Sequence, residues 1–352
     1  MSGSERVPWT AARLDGLVVT EPVDARGDRA AGAPLLRLAP GRAAGALEAT
    51  LPDRGAWDRA VPSLGALPWP TGARARVRLR ARVGGRWTPW APLGVHGGGP
   101  DHPRSEVGPD PAEAEVDVDT LKLPRAGAEA ELRVEVEADD AAAARAVGLT
   151  RLSLARWLDA DGPTPAPGAG AEPEEARAAW GRELAVPERS QRVEDPAIAG
   201  RICSPTSLAM VLAFHGHDLP TARVAAAVHD RGADLYGNWS FNVAFAASLG
   251  LEAEVVRCRA WAPVEDEVAA GRPVVLTHRY RPGEVAGAAI DGTAGHLIVL
   301  RGFDGQGDPI VNDPAADPRR GAPIRRVYRR ADLTRSWLGN ARGVAYRVQP
   351  PG

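Results

Sequence analysis

A thiol sits at a helix start in Arg201-Ile202-Cys203-Ser204-Pro205-Thr206-Ser207-Leu208-Ala209-Met210-Val211-Leu212. Pro205 suits a first helical position, where a missing N–H costs nothing. Ser204 and Thr206 are residue types that cap free amides. Leu208, Val211 and Leu212 recur at helical spacing and are expected to face a core. Unpaired amides and the positive end of the helix dipole favour a thiolate, the nucleophilic form of cysteine. The competing reading of this segment by itself is a buried, unreactive cysteine, which is common for free thiols.

Downstream residues favour the nucleophile. Gly295-His296-Leu297-Ile298-Val299-Leu300-Arg301-Gly302-Phe303 reads as a buried strand, Asp304–Asp308 as a turn, and Pro309-Ile310-Val311-Asn312-Asp313-Pro314 as the returning strand. The midpoint between positions 296 and 313 falls inside that turn, so His296 and Asp313 are expected nearly opposite each other on paired strands. A base and its orienting carboxylate need that arrangement. Asn312 is the rival, and because neighbouring strand residues point to opposite faces, only one of the two can face His296. A carboxylate at a cleft edge is expected to matter greatly for catalysis and little for folding. A cysteine followed at a distance by one His and one Asp or Asn is the sequence pattern of a cysteine hydrolase.

On these residues the second half of the chain resembles the C39-type peptidases, a branch of the papain-like cysteine proteases. The family pattern is a glutamine, a cysteine opening a helix, Gly-His before an apolar strand, and Asp-Pro after the next strand. The matching residues are Gln191, Cys203, Gly295-His296 and Asp313-Pro314. The resemblance implies Cys203 as nucleophile, His296 as general base and Asp313 as orienting acid. It implies Gln191 as an oxyanion donor beside the Cys203 backbone N–H, and peptide-bond hydrolysis through a Cys203 thioester acyl-enzyme. Two departures stand out: Cys203-Ser204-Pro205 replaces the usual Cys-Gly-Pro, and the insert Arg192–Arg201 lengthens the usual gap between glutamine and cysteine. The alternatives are a non-catalytic peptide-binding module on the same fold and an acyl transferase of amidase or transglutaminase type.

The elements that must carry these residues divide in two. The chain has 352 residues, 44% of them hydrophobic, enough for two cores. Strict alternation over Arg76–Val83, Glu113–Val118 and Glu131–Glu137, with Arg151–Trp157 beyond, marks half-exposed strands. The expected architecture is α+β: an antiparallel, jelly-roll-like β-sandwich over 1–158, a Pro/Gly/Ala linker over 159–179, and a papain-like domain over 180–352. In the last, helices are expected from Cys203 to about His215, over Pro220–His229 and over Trp239–Leu249. Strands are expected at Leu251–Arg257, Pro273–His278, His296–Phe303, Ile310–Asn312 and Val344–Val348.

Composition narrows the partners. A net charge of −2 gives no electrostatic case for nucleic acid. No apolar run reaches membrane-spanning length, and Met1–Trp9 holds no signal-peptide core, so a cytoplasmic setting is the default expectation. The expected partner is a peptide or protein substrate, with a glycan or protein ligand possible for the sandwich. Ten tryptophans outnumber the four tyrosines and four phenylalanines, and Trp87 and Trp90 read as packing anchors rather than a sugar platform. No cofactor is expected. No metal is expected either, since His215-Gly216-His217 lacks a third ligand at suitable spacing. His278 reads as a core or supporting residue near the cleft, Asn238 as a helix cap with Trp239 packing beside it, and Cys258 as a small core residue at a strand end.

Overall fold

The computed structural model describes residues 3–21, 34–99, 101–160 and 178–351. The strands are β1 (Glu5–Arg6), β2 (Arg13–Asp15), β3 (Leu17–Thr20), β4 (Leu35–Leu38), β5 (Ala44–Leu51), β6 (Trp57–Ala66), β7 (Ala73–Val83), β8 (Arg86–Trp87), β9 (Ala91–Gly97), β10 (Glu115–Asp117), β11 (Thr120–Gly127), β12 (Ala130–Ala138), β13 (Leu149–Trp157), β14 (Glu252–Arg257), β15 (Val274–Tyr280), β16 (Thr293–Phe303), β17 (Pro309–Asn312), β18 (Arg325–Val327) and β19 (Val344–Gln349). The helices are α1 (Ala141–Ala146), α2 (Cys203–Phe214), α3 (Thr221–Val228), α4 (Trp239–Ser248), α5 (Ala262–Ala269) and α6 (Arg330–Leu333), the last running into a π-helix over Thr334–Asn340. None of the described helices is long and apolar enough to cross a membrane.

These elements gather into two units. The N-terminal unit holds Ser4–Asp159 together with His229–Val255, and the C-terminal unit holds Ala160–Val228 and Val256–Gln349. Most of the expected linker, residues 161–177, lies outside the described residues.

The N-terminal unit is built on two antiparallel sheets sharing one core. One runs β10-β11-β6-β13-β4-β3 with β1 also on β13, and the other runs β2-β5-β12-β7-β8 with β9 also on β7. Alternation in β7 and β12 sends Ala75, Val77, Leu79, Leu132 and Val134 inward, all fully buried. The outward residues form cross-strand ion pairs, Arg74 with Glu137 at 2.7 Å, Arg78 with Glu135 at 3.0 Å and Arg82 with Glu129 at 3.3 Å. Trp87 and Trp90 are not core anchors; both are half-buried, with the Arg80 guanidinium 4.9 and 4.4 Å from their ring centres.

The segment 229–255, read from sequence as part of the second domain, groups with the sandwich. Buried polar groups account for this. The Asp119 carboxylate accepts from the Trp239 and Ser240 amides that open α4. Ser240 Oγ donates to the Pro62 carbonyl at 2.6 Å, and the Val255 amide donates to Ser63 Oγ at 2.9 Å. Asn238 caps α4 as expected, its Oδ1 accepting from the Phe241 amide at 3.1 Å. Phe241 packs edge-on against His96, and a Cβ at Gly94 would sit 2.8 Å from its ring, so only glycine fits there.

The C-terminal unit sets α2 against antiparallel strands in the order β19-β15-β16-β17-β18. Every residue from Ser204 to Leu212 is buried, so α2 is a central helix rather than one with a single core-facing stripe. Elements α5, β18, α6 and the π-helix carry no strong periodic signal and were not expected from sequence; through Trp261, Tyr328 and Trp337 they supply much of this unit's aromatic core.

Candidate active site

Helix α2 begins at Cys203 itself, with Ile202 as N-cap and no side-chain cap. The expectation that Pro205 opens the helix and that Ser204 and Thr206 cap it is corrected. Ser204 Oγ bonds the Tyr346 hydroxyl at 2.9 Å, and Thr206 Oγ1 donates back to the Ile202 carbonyl at 2.6 Å. The first amides of the helix are therefore left to face a negative group. Ser207 Oγ donates to the Leu297 carbonyl at 3.0 Å and ties the helix to β16 one residue past His296.

The hairpin β16–β17 delivers the other two groups. Near the turn, Phe303 pairs with Pro309 and Gly302 with Ile310; past a bulge between Leu300 and Gly302, Leu300 pairs with Val311 and Val299 with Asn312. The shift changes the parity of the register. Continued without the bulge, Asp313 would lie opposite Val299 and point away from His296; with it, Asp313 continues opposite Ile298 and shares the face of His296 two residues along. The two residues are diagonal neighbours, offset by two positions within the nearly opposite placement that the midpoint gave. A close approach sustains the bulge: a Cβ at Gly302 would sit 2.3 Å from the Arg182 carbonyl, and the Leu184 amide donates to the Arg301 carbonyl at 2.7 Å.

His296 Nε2 donates to Asp313 Oδ1 at 2.8 Å, both residues being buried. Since Nε2 is engaged, the ring nitrogen bonded to the Cys203 thiol is Nδ1. Asp313 is further fixed by the Ala315 amide at 2.9 Å on Oδ1 and the Tyr328 hydroxyl at 2.8 Å on Oδ2. Asn312 turns to the opposite face, accepting from the Arg301 guanidinium at 2.9 Å and donating to the Val186 and Pro187 carbonyls. Asp313 is thus fully buried and triply bonded, not the cleft-edge group expected to matter little for folding.

Electrostatics follow from this packing. Burial pushes the half-buried Cys203 thiol up, but the hydrogen bond and charge of His296, with the Leu297 and Ser204 amides, outweigh it and hold the thiol below its ordinary value. Burial lowers the His296 imidazole, yet Asp313 and then Cys203 raise it well above the usual histidine range. Burial raises the Asp313 carboxyl, but the charge and hydrogen bond of His296 bring it far below the carboxylate range. The directions of all three shifts favour the charged forms, a Cys203 thiolate, a His296 imidazolium and an Asp313 carboxylate. Cys258 is buried and follows β14, and no disulfide joins it to Cys203.

Gln191 opens a short 3₁₀ turn whose amide donates to the Pro314 carbonyl at 2.9 Å, next to Asp313. Its side chain is buried; Nε2 donates to the Ala199 carbonyl at 2.7 Å, and Oε1 has no partner among the described residues. The insert Arg192–Arg201 is therefore a folded-back loop that gives Gln191 its contact. A cavity of about 610 Å³ lies beside this loop, its wall including Arg192, Ala199, Ala315, Asp317 and Arg319. Tyr328 escaped the sequence reading, because a tyrosine before a short helix carries no motif. His278 lies directly opposite His296 on β15.

Residues 183–343 match the model of the Peptidase_C39 like family, a stretch that holds Gln191, Cys203, His296 and Asp313. No curated protein matches the chain. Among solved structures, the chain is similar to the CBM22-1–GH10 modules of an endo-1,4-beta-D-xylanase from Clostridium thermocellum, with 9% identity, 52% of this chain and 32% of that one covered, and a TM-score of 0.25. It is also similar to a GH26-CBM35 beta-(1,4)-mannanase from Podospora anserina, with 13% identity, 61% and 48% covered, and a TM-score of 0.25. The chain spans under half the length of either, and likenesses this distant carry no argument about function.

Proposed function

We propose that the protein is a cysteine hydrolase acting on peptide bonds, with a papain-like arrangement of α2 against the β15–β17 sheet. The observation that carries this reading is the unbroken hydrogen-bond series from Cys203 through His296 to Asp313 at the open end of a helix. The Cys203 thiolate attacks the scissile carbonyl carbon. The charge that develops on the carbonyl oxygen is met by helix-start amides and by the Gln191 Nε2 hydrogen that Ala199 does not use. The imidazolium then gives its Nδ1 proton to the departing amine, leaving a thioester on Cys203. A water molecule, deprotonated by the same nitrogen, hydrolyses the thioester. Asp313 holds the ring's tautomer and orientation throughout.

One observation favours a second reading. The bond from Gln191 to Ala199 turns part of the donor set inward, as a peptide-binding module without turnover would tolerate. A peptide-library digest with wild type and Cys203→Ala separates the two. Hydrolysis by wild type alone supports the enzyme; peptide binding by both without cleavage supports the module. Products with added amine distinguish hydrolysis from acyl transfer.

A further inference from the structure

His278 is fully buried, and neither of its ring nitrogens has a hydrogen-bond partner among the described residues. Buried imidazoles are normally hydrogen-bonded, so such a side chain calls for an explanation. Register gives one. His278 pairs directly with His296, so the two side chains share a face, with ring centres 5.3 Å apart. Nitrogens of His278 and His296 and an oxygen of Asp313 lie within 4.8 Å of one another. Two imidazoles and a carboxylate are a donor set for zinc and its first-row neighbours. The Tyr328 hydroxyl on Asp313 Oδ2 supplies the outer bond that orients a ligating carboxylate.

We propose that His278, His296 and Asp313 bind a divalent transition-metal ion of the zinc type. The ion takes the place of the proton shared by His296 Nε2 and Asp313 Oδ1, and that proton is released to solvent. The bound ion and the His296–Asp313 hydrogen bond use the same lone pair and exclude each other. This account of His278 holds whether or not the cleft hydrolyses peptides.

Cobalt(II) titration of the full chain, followed by visible absorption, tests the site without an activity readout. The expected result is one equivalent bound, with ligand-field bands of nitrogen and oxygen donors, no sulfur-to-cobalt charge-transfer band, and an unchanged spectrum in Cys203→Ala. His278→Phe keeps the ring volume but removes both nitrogens, and binding there should weaken at least tenfold. Absence of binding to wild type, a thiolate band lost in Cys203→Ala, or undiminished binding in folded His278→Phe would each overturn the proposal. If His278→Phe does not fold, His278→Leu and the comparison of wild type with Cys203→Ala still decide.

Discussion

The outer face of β7 and β12 and the cluster at Cys203 both collect ionisable groups, and they hold them in opposite ways. On the sandwich, arginines and glutamates pair repeatedly, half-exposed and exchangeable: Arg133 reaches both Glu48 and Glu135, and Arg76 reaches Glu106 and Glu135. In the cluster, each ionisable group has one assigned place, with His296 and Asp313 buried. Exposed pairs are worth ~0–1 kcal/mol each, whereas breaking a buried pair costs about 3–5 kcal/mol because a charge is left without a partner. The first arrangement keeps a sheet soluble and its register defined. The second fixes the orientation of each group it holds.

The largest effect that separates the two regions lies at Asp313. Asp313→Asn should lower turnover by roughly 10³–10⁴-fold, since the imidazole loses its charged anchor and its tautomer. Circular dichroism should still report a folded chain, and turnover near wild type would erase the distinction. Next in size is Asn312→Ala. It should lower stability by ~1–3 kcal/mol in urea, because it removes an acceptor from buried Arg301, while turnover of the folded protein stays within severalfold. On the sandwich, Arg78→Ala should cost under about 1 kcal/mol and leave turnover unchanged; a loss of several kcal/mol would mean that the lattice acts as a unit.

A pH effect sharpens the comparison from within the N-terminal unit, where Asp119 is a buried exception. Burial raises its carboxyl to about 6 against the amides of Trp239 and Ser240. The folded state then holds a proton that the unfolded state, with a carboxyl near ~4, has released, so stability should fall as pH rises from ~4 to 6. Asp119→Asn keeps an acceptor for α4 and should flatten that slope, which urea midpoints across the range would measure.

The helix at Cys203 and the hairpin carrying His296 and Asp313 were legible because both are local: an apolar run behind a cysteine, and two apolar runs about a Gly/Asp turn. The choice of Asp313 over Asn312 was reached through a midpoint one residue out, which puts the partner of Asp313 two residues out, an even error that left the face unchanged. The bulge that sets this parity depends on Arg182–Leu184, more than a hundred residues upstream, and no window around the hairpin contains it. Tyr328 and the grouping of 229–255 with the sandwich were illegible for a related reason, since both rest on polar contacts between segments apart in sequence that leave no periodic trace.

The central claim is that Cys203 exists as a thiolate held by His296, and the pH dependence of its alkylation tests that directly. Iodoacetamide labelling of the folded chain, resolved by peptide mass, should be fast at Cys203 well below pH ~8.5, the ordinary thiol value, and slow at buried Cys258. In His296→Gln the Cys203 inflection should move up towards that value. Equal rates at the two cysteines, or a wild-type inflection at the ordinary thiol pKa that His296→Gln leaves in place, would contradict the account.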